Sequence, residues 1–470
     1  MVAALESFRE RWMRDEVPLR SVLVIFAIFY GLLILIFSPD QLKNDEFRYF
    51  QGAHNLSQGF YVTEENPDFT NGPGYPLLLV PMISLLGFEF DEVYLDPEDL
   101  MYYVPGPDGK PIENLKVRLL PLRLHNALYL VAGLFMTFKA ARLFLTARTS
   151  ILIVLVIGLN PFQLRWVPFM MTESLTPLVS ASFVWAYVKL LREDRFSWKY
   201  ALLAGALFGY LALTRTIFGY VATAGIFLIP VFALIIGKRE LVVRSVTPMI
   251  LALGFCLPYL AYTYKHTGRV FCWATNGGEL LYWITSPHDN EFGSWQQERW
   301  IREDEELSKH HLEFVQHVNS LPVLERTAAW EEGIRRNLET EGVEKALVRN
   351  YVANFCRSFF DMPRTKMYQS FSKLIWAVSG ACFFFPGLVA GLIFLFRWRA
   401  CTREIKLLMF IVSIYAGGAF LLPSLPRYWI PMLPAILIWM GYVFTRLLSI
   451  DVRLRPAEEL EDSSPSSPQA

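Results

Sequence analysis

The stretch Asn44-Asp45-Glu46-Phe47-Arg48-Tyr49 sets two adjacent carboxylates directly after the first hydrophobic segment of the chain. Residues 19–37 before it are almost wholly apolar, and the chain after it stays polar through Asn71 before it turns apolar again. Acidic side chains are costly inside a bilayer and ordinary outside it. The chemistry of this stretch therefore depends on its side and depth in a membrane, and both follow from how the rest of the chain crosses.

Composition indicates a membrane protein with several spans. Of the 470 residues, 53% are hydrophobic and only 19% are charged, whereas soluble domains have roughly 25% charged residues. Mean hydropathy is +0.31, and apolar runs of about 20 residues recur, which is the length that spans a bilayer. The net charge of zero gives no indication of a nucleic-acid partner. The five cysteines show no CxxC spacing, so neither a metal site nor a disulfide framework is indicated.

The distribution of basic residues predicts the topology. After 19–37, the candidate spans are roughly 117–138, 150–167, 169–191, 199–215, 216–237, 244–264, 374–396, 405–423 and 427–446. Alternate connections between them are rich in Lys and Arg, at 139–148, 189–199, 238–244, 397–406 and 446–455. The positive-inside rule places all of these connections in the cytoplasm. Both termini are therefore predicted to be cytoplasmic.

The apolar run from Tyr75 to Phe88 is predicted not to cross the membrane. It has about 14 residues, is interrupted by Pro76 and Pro81, and is short for a span. If it did cross, every basic connection after it would lie outside the cell, against the positive-inside rule. We therefore expect a re-entrant or interfacial helix here, and an all-α polytopic membrane protein with about ten transmembrane helices.

This topology divides the chain into five parts. They are a cytoplasmic N-terminus (1–20), a transmembrane module (21–264) whose first outer loop is 38–116, an extracytoplasmic segment (265–373), C-terminal transmembrane helices (374–448) and a cytoplasmic tail (449–470). The extracytoplasmic segment mixes five tryptophans with many charged residues, which predicts mostly helices lying on the membrane surface. The tail is acidic and rich in Ser and Pro, and is predicted to be disordered.

Two interpretations of Asp45 and Glu46 stay open at this point. In one, Asn44 or Asp45 merely caps an amphipathic helix that runs to about Leu56. In the other, a carboxylate at the bilayer surface acts as a general base, which requires hydrogen-bond reach of the hydroxyl or amine of an acceptor. An amphipathic helix between apolar segments can hold a carboxylate at that depth.

Charged residues at the predicted outer ends of other helices also admit two interpretations. Arg215 interrupts a long apolar stretch, where a central charge costs roughly 2.5–3.5 kcal/mol on insertion scales. It either snorkels to the interface or binds a phosphate with its planar fork of donors. Arg427, before Tyr428, is similar. Glu173 is a first-turn acid favoured by the helix dipole or a site residue, and Arg165 is an interfacial anchor or a weaker candidate.

The outer face thus combines a carboxylate pair with several arginines at membrane depth. A reaction between a lipid-linked phosphate and a nucleophile would use such a set. Because a phosphate is already a competent leaving group, one base and phosphate-binding cations are enough, and the second carboxylate of ordinary glycoside hydrolysis is not needed.

Several motifs resemble those of GT-C glycosyltransferases, which include protein O-mannosyltransferases and lipid A aminoarabinose transferases (glycosyltransferase families 39 and 83). The opening stretch, with Ala53, Leu56 and Gly59 after it, resembles their Asp-Glu signature. Asn71-Gly72-Pro73-Gly74-Tyr75-Pro76-Leu77 is similar to their Pro-Pro-Leu stretch, with Gly74 in place of a proline. Further similar motifs lie at 118–126, Thr172-Glu173-Ser174-Leu175, Leu213-Thr214-Arg215 and Pro426-Arg427-Tyr428.

The resemblance implies a GT-C fold and inverting transfer of a hexosyl or pentosyl group from a polyprenyl-phosphate-linked donor, at the outer face of a bacterial plasma membrane. Asp45 matches the catalytic aspartate, and Glu46 its neighbour. The candidate substrate-binding residues are Tyr49, Arg165, Glu173, Arg215, Arg427 and Tyr428. Segment 265–373 does not match the lumenal domains of the family, so the acceptor (protein, lipid or glycan) is not identified. No cofactor follows, and a divalent metal ion stays an open alternative.

A membrane transporter or flippase of a lipid-linked or small polar substrate is the alternative. Such proteins place ionisable residues at the bilayer midplane and often show repeated halves, whereas the charges here lie near the outer ends of helices. Cys272 and Cys356 both fall in the predicted outer segment, where oxidation is permitted. They are either disulfide-bonded or two buried thiols.

Overall fold

The structure, a computed structural model, describes residues 18–43, 45–64, 67–86, 94–95, 102–103, 114–237, 239–360, 371–422 and 425–448. Most of the predicted cytoplasmic N-terminus, Asn44, most of residues 91–99 and the predicted cytoplasmic tail 449–470 lie outside these ranges. The expectations stated for those parts stay predictions.

The described residues are almost entirely helical. The first half contains α1 (Leu19–Phe37), α2 (Glu46–Ser57), α3 (Gly74–Leu86), α4 (Leu115–Ala141), α5 (Ala147–Gly158), α6 (Pro161–Leu164), α7 (Thr172–Arg192), α8 (Trp198–Thr214), α9 (Ile217–Ile236) and α10 (Arg239–Thr267). The second half contains α11 (Gly277–Thr285), α12 (Glu298–Glu303), α13 (Glu305–Leu307), α14 (Glu313–Ser320), α15 (Val323–Leu338), α16 (Val343–Phe360), α17 (Phe371–Phe396), α18 (Arg403–Phe420) and α19 (Leu433–Tyr442). The smaller elements are β1 (Tyr94–Leu95), antiparallel to β2 (Tyr102–Tyr103), two 3-10 helices (Trp398–Ala400, Pro426–Met432) and two π-helical turns (Ser308–Leu312, Val443–Leu447).

Every segment predicted to span the membrane overlaps a helix. Within the described ranges, seven helices are long and apolar enough to cross by themselves: α1, α4, α7, α9, most of α10, the end of α17, and Pro426–Leu447, which includes α19. The other predicted spans coincide with α5, α8 and α18. The prediction of an all-α polytopic membrane protein is therefore confirmed.

One predicted span is wrong in its extent. The expected helix 150–167 is instead α5, whose 12 residues reach about 18 Å at 1.5 Å per residue, less than the roughly 30 Å of a hydrocarbon core. The helix stops because Asn160 leaves the helical conformation and caps α6, where Pro161 occupies the first position. The following segment then turns towards the first residues of α7.

The last span is also irregular. It starts as the 3-10 helix Pro426–Met432 and becomes α-helical only at Leu433. Pro431 and Pro434 remove backbone donors from its first turns, which prevents a regular α-helical start. The Tyr415 hydroxyl on α18 donates a hydrogen bond of 2.5 Å to the carbonyl of Tyr428 and holds this start in place.

Helix α3, with 13 residues, is short for a membrane span. Arg123, early in α4, lies 3.3 Å (Nε) from the Glu46 carboxylate (Oε1) at the start of α2. Segment 46–123, which contains α3, therefore begins and ends at one depth, and a single crossing by α3 would separate those ends. The structure agrees with the predicted interfacial or re-entrant helix.

At the ends of the spans away from the predicted outer loops, the basic connections contact one another. Arg192 Nη1 donates to the carbonyl of Leu143 at 2.6 Å, and Arg244 Nη2 donates to the carbonyl of Asp194 at 2.7 Å. Three of the connections predicted to share the cytoplasmic face therefore lie side by side. Their assignment to the cytoplasm, and that of both termini, stays a prediction.

The helices from α11 to α15 form a small unit with a core of its own. Its buried hydrophobic residues are Tyr282, Trp283, Ile301, Leu307, Val315, Val318 and Trp330. The predicted helical content of the outer segment is confirmed, and the expectation that its helices lie on the membrane surface stays a prediction. The aromatic side chains pack against one another in an interior, and Trp273 is fully buried beside Tyr259 of α10.

The hypothesis of a disulfide between Cys272 and Cys356 is wrong in this structure, because both are free thiols. Cys272 is buried in the turn after α10, where its sulfur lies 3.8 Å from the carbonyl oxygen of Ala274. Cys256, Cys382 and Cys401 are free as well.

Cysteine labelling tests the topology. In a variant with its five native cysteines replaced by alanine, a cysteine at Lys43 and one at Asn114 should both react with an impermeant thiol reagent added from outside, because both residues are exposed at the ends of the first outer loop. A cysteine at Arg142, exposed at a basic connection, is the control and should react only after permeabilisation. Labelling of Lys43 but not of Asn114 would contradict the topology.

Candidate functional site

A cavity of about 300 Å³ lies where all the predicted outer connections meet. The first outer loop, the start of α7, the α8–α9 turn, the outer segment and the start of the last span each contribute to it. Its polar and aromatic lining residues include Asp45, Arg48, Tyr49, Thr172, Glu173, Arg215, Asn276, Glu279, Trp295, Tyr415, Arg427 and Tyr428. Distant parts of the chain therefore converge at this polar site, here called the charged cavity.

Asp45 occupies the N-cap position of α2, but its side chain makes no capping hydrogen bond. One carboxylate oxygen lies 3.1 Å from Arg48 Nη1, and the other lies 3.4 Å from Arg427 Nη1. The side chain is 23% exposed, so it remains accessible. In this structure the Asp45 side chain therefore does not cap α2.

Glu173 forms the second charged centre of the cavity. Its carboxylate lies 2.5 Å from Arg215 Nη2 and 3.9 Å from Arg427 Nη1. Arg215 Nε also donates to the hydroxyl of Thr172 at 3.2 Å. The charges thus alternate along the cavity wall in the order Arg48, Asp45, Arg427, Glu173, Arg215.

Aromatic rings support two of these guanidinium groups. Tyr428 lies beneath both, with its ring centre 5.9 Å from Arg215 and 5.8 Å from Arg427. The Trp166 ring centre lies 5.3 Å from Arg427 and 5.3 Å from Arg165. Cation–π contacts of this kind favour a cation over a ring face, so the rings hold the charged fork of Arg427 in place.

Tyr49 contributes a neutral hydroxyl to the cavity. Burial raises the pKa of Tyr49 well above its usual range, so the group remains protonated at any physiological pH. Its ring meets that of Tyr75 edge-on at 5.2 Å. Tyr75 donates to Asn126 of α4 at 3.0 Å, and this chain of contacts links the cavity to the α3–α4 packing.

Glu46 points away from the cavity, although it is adjacent to Asp45. Its carboxylate accepts hydrogen bonds from the backbone N–H groups of Met170 (2.8 Å) and Lys43 (2.9 Å), and it pairs with Arg123. Both charged side chains are fully buried. Burial raises the pKa of the Glu46 carboxyl, while Arg123 and the two N–H donors oppose that rise. Arg123 also donates to the carbonyls of Pro39 and Gln41.

Two glycines allow the first outer loop to approach the α8–α9 turn. A Cβ added at Gly72 would lie 2.0 Å from the carbonyl oxygen of Leu213, and one at Gly74 would lie 2.5 Å from the hydroxyl of Thr214. Backbone therefore packs against backbone at the residues that directly precede Arg215. Glycine is required here, which gives the departure from proline at Gly74 a physical reason.

The outer segment supplies a wall that the sequence did not predict. Trp295 Nε1 donates to the Glu279 carboxylate at 2.6 Å, and both residues line the cavity. Burial raises the pKa of Glu279, and the Trp295 hydrogen bond opposes this rise. The sequence did not mark these two residues as site residues, because the segment contains many other tryptophans and glutamates.

A second, apolar cavity of about 340 Å³ adjoins the same helix start. Its lining comes from α16–α19 and includes Phe355, Phe359, Phe384, Leu392, Trp429 and Trp439. Arg427 and Tyr428 line the polar cavity, and the next residue, Trp429, lines the apolar one. One short segment therefore separates a charged site from a hydrocarbon-like groove.

The described residues of the charged cavity do not fit a divalent metal ion. The carboxylates of Asp45 and Glu173 are each paired with arginines, and three guanidinium groups surround them. A metal ion there would face strong repulsion from like charges. Arginines therefore supply the positive charge at this site.

Six of the eight candidate residues line the same cavity: Asp45, Tyr49, Glu173, Arg215, Arg427 and Tyr428. Glu46 and Arg165 do not line it. Glu46 is buried against Arg123, and Arg165 is exposed beside Trp166. Sequence reasoning missed Arg48, although it stands inside the opening motif, and Arg123, although it lies within the motif at 118–126.

Solved structures that resemble the chain include an oligosaccharyltransferase and ArnT, both membrane glycosyltransferases of the GT-C superfamily, which the sequence motifs also resemble. One is the oligosaccharyltransferase AglB from Archaeoglobus fulgidus with an inhibitory peptide and a dolichol-phosphate: identity is 13%, TM-score 0.47, and 98% of this chain and 53% of that chain are covered. Another is ArnT from Cupriavidus metallidurans bound to undecaprenyl phosphate, at 12% identity and TM-score 0.41, covering 91% and 77%.

The chain spans about half the length of the archaeal oligosaccharyltransferase, whose apo form gives 12% identity and a TM-score of 0.48 over 92% of this chain and 51% of that one. No protein-family model matches the chain, and a search of curated proteins returns no match. Identities and TM-scores at this level do not by themselves assign the chain to a family.

Replacement of Glu46 tests its structural role. Glu46→Gln keeps the side-chain shape but leaves Arg123 charged and buried without a counter-ion, so we expect a loss of about 3–5 kcal/mol in stability and a lower unfolding temperature in detergent. Glu332→Gln is the control, because its pair with Arg336 is exposed on α15. If Glu46→Gln unfolds at the same temperature as the wild type, the Glu46–Arg123 pair does not stabilise the turn before α2.

Proposed function

We propose that this protein is an inverting glycosyltransferase that moves a sugar from a polyprenyl-phosphate-linked donor to an acceptor at the extracytoplasmic face of a membrane. The main observation behind the proposal is the environment of the Asp45 carboxylate. Its carboxylate caps nothing, lies in a cavity at one end of the membrane helices, and contacts two guanidinium groups. The similarity of the surrounding motifs to those of GT-C enzymes supports the same reading.

The arginines of the cavity are suited to the phosphate of the donor. Arg215 and Arg427 present planar forks of donors, and three arginines face the two carboxylates Asp45 and Glu173 on this wall. When a phosphate takes the place of the 3.4 Å contact between Arg427 and Asp45, the Asp45 carboxylate is released towards the acceptor. Donor binding would in this way prepare the base.

The proposed reaction is a single displacement. The acceptor hydroxyl or amine attacks the anomeric carbon and passes its proton to Asp45 as the new glycosidic bond forms. The bond between that carbon and the phosphate oxygen breaks, and its electron pair leaves on the phosphate. Arg215 and Arg427 stabilise the negative charge that develops there, which is the role of preorganised donors in such sites. No general acid is needed.

The apolar cavity is suited to the lipid part of the donor. It lies on the far side of the segment that carries Arg427 and Tyr428, so a lipid could place its phosphate in the charged cavity and its chain among the side chains of α16–α19. The acceptor would then approach from the wall formed by Glu279 and Trp295. In this proposal the protein works in a bacterial plasma membrane with both termini in the cytoplasm.

Asp45→Asn tests the role of the base. The change keeps the shape and removes the basicity, and loss of a general base typically costs on the order of 10²-fold or more in turnover. We expect that loss in the transfer of labelled sugar from carrier lipid by the reconstituted protein, with an unchanged unfolding temperature. Asp40→Asn, an exposed position in the same loop, is the matched control and should retain activity.

A folded Asp45→Asn protein with normal turnover would remove the central claim and favour the transporter or flippase alternative. That alternative also predicts movement of carrier lipid between leaflets of vesicles that contain the wild-type protein.

Replacement of the cavity arginines tests donor binding. Arg427→Ala removes charge-assisted hydrogen bonds to a phosphate, each worth about 1.5–3 kcal/mol, so affinity for a polyprenyl phosphate should fall roughly 10- to 100-fold. Arg215→Ala should act in the same direction. Arg165→Ala is the control, because Arg165 contacts the same Trp166 ring from outside the cavity. If all three variants bind polyprenyl phosphate with equal affinity, Arg215 and Arg427 do not bind the phosphate and instead anchor their helices at the interface.

A further inference from the structure

A second group of titratable side chains lies in the outer segment, apart from the charged cavity. His288, Glu291, His310 and His311, here called the histidine cluster, come from the loop after α11 and from the π-helical turn before α14. One ligand atom from each lies within 4.8 Å of all the others. None of the four lines the charged cavity, so the proposed glycosyltransferase reaction does not use them.

Glu291 lies at the centre of the cluster. Its Oε1 is 2.7 Å from His311 Nε2 and 3.7 Å from His310 Nδ1. The rings of His288 and His310 stack with centres 3.7 Å apart and almost parallel planes. Within the described residues, His310 Nδ1 is buried and makes no hydrogen bond. Three imidazoles and one carboxylate therefore converge, and one of the imidazole nitrogens has no other partner.

Groups behind the cluster orient two of its members. The Tyr282 hydroxyl lies 2.7 Å from His311 Nδ1, the ring nitrogen that points away from Glu291. The Ser286 hydroxyl donates to Glu291 Oε2, the oxygen that points away from His311. Metal-binding histidines and carboxylates typically have such outer partners, which fix the tautomer and the orientation of each ligand.

The backbone brings two adjacent histidines to one carboxylate. Residues Ser308–Leu312 form a π-helical turn, a rare element that occurs frequently at functional sites. Opposite it, the loop is held by α16: Asn350 donates to the carbonyls of Ile284 and Ser286, and Arg349 donates to the carbonyl of His288. Both halves of the cluster are thus placed by rigid elements.

We propose that His288, Glu291, His310 and His311 bind a zinc ion. Three neutral imidazoles and one carboxylate give the four nitrogen and oxygen donors of a tetrahedral site. Bonds of about 2.0–2.1 Å in that geometry separate ligand atoms by roughly 3.3 Å, so the cluster needs to contract at its widest separation and to open slightly between Glu291 and His311. With zinc on Nε2, His311 carries its proton on Nδ1 and donates it to the Tyr282 hydroxyl.

The position of the site indicates a structural effect. Glu291 is four residues before Trp295, which lines the charged cavity, and Phe292 and Gly293 between them have positive φ angles of 51° and 63°. A metal ion on Glu291 would join this strained loop to the π-helical turn. Bound zinc should therefore stabilise the outer segment and the wall that carries Trp295.

Metal binding to the whole protein tests the proposal. Full-length protein without an affinity tag, in detergent and stripped with a chelator, should bind one zinc ion per chain in a titration and gain a higher unfolding temperature. With cobalt(II) in place of zinc, it should show the strong visible absorption of a four-coordinate site. Binding that is absent from the wild type, or that occurs at several equal sites, would overturn the proposal.

Variants separate metal binding from packing. His288→Ala and His310→Ala each remove one ligand but leave the His311–Glu291 hydrogen bond intact, so each should lower zinc affinity on the order of 100-fold or more while the metal-free protein keeps its unfolding temperature. Tyr282→Phe should lower the affinity roughly 10- to 100-fold, as loss of an outer partner does. His317→Ala, an exposed histidine on α14, is the matched control. Zinc affinities in His288→Ala and His310→Ala equal to that of the control would show that the cluster is only a hydrogen-bonded network.

Discussion

The buried pair of Glu46 and Arg123 is the contact on which the geometry of the charged cavity depends. Glu46 also accepts hydrogen bonds from Met170 and Lys43, and Arg123 also binds two carbonyls of the turn before α2. The pair thus joins the first outer loop, α4 and the segment before α7 at one point. Glu46 is thereby fixed in the interior, while Asp45, the residue directly before it, lines the cavity.

The alternating charges of the cavity couple the site to the fold. Arg48, Asp45, Arg427, Glu173 and Arg215 come from four separate parts of the chain. Removing a charge from water is costly unless it is paired and hydrogen-bonded, and an uncompensated buried charge is strongly destabilising. Each charged side chain of the cavity is therefore stable only when the helices that carry the neighbouring charges are in place. The order of charges leaves only Asp45 flanked by guanidinium groups and still accessible, which distinguishes it from Glu173, whose carboxylate is almost fully buried.

The sequence predicted the positions of most spans and placed Asp45, Glu173, Arg215 and Arg427 on one face of the membrane, because hydrophobic length and the alternation of basic connections are local signals. It did not predict the different environments of Asp45 and Glu46. These environments differ because Arg123, which is distant in sequence, pairs with Glu46 and not with Asp45. The wall of Glu279 and Trp295 and the core around Trp283 depend on contacts among short amphipathic helices. No local pattern marks which of their faces meet.

The outer segment and the membrane helices contribute different kinds of order to the cavity. On the membrane side, backbone packs directly on backbone at Gly72 and Gly74, which leaves little freedom to the turn before Arg215. On the outer side, Trp295 follows a loop with two residues at positive φ, fastened by side chains of α16 and by the histidine cluster. In the proposed reaction, the carrier phosphate would bind on the rigid side and the acceptor would approach from the side built from loops.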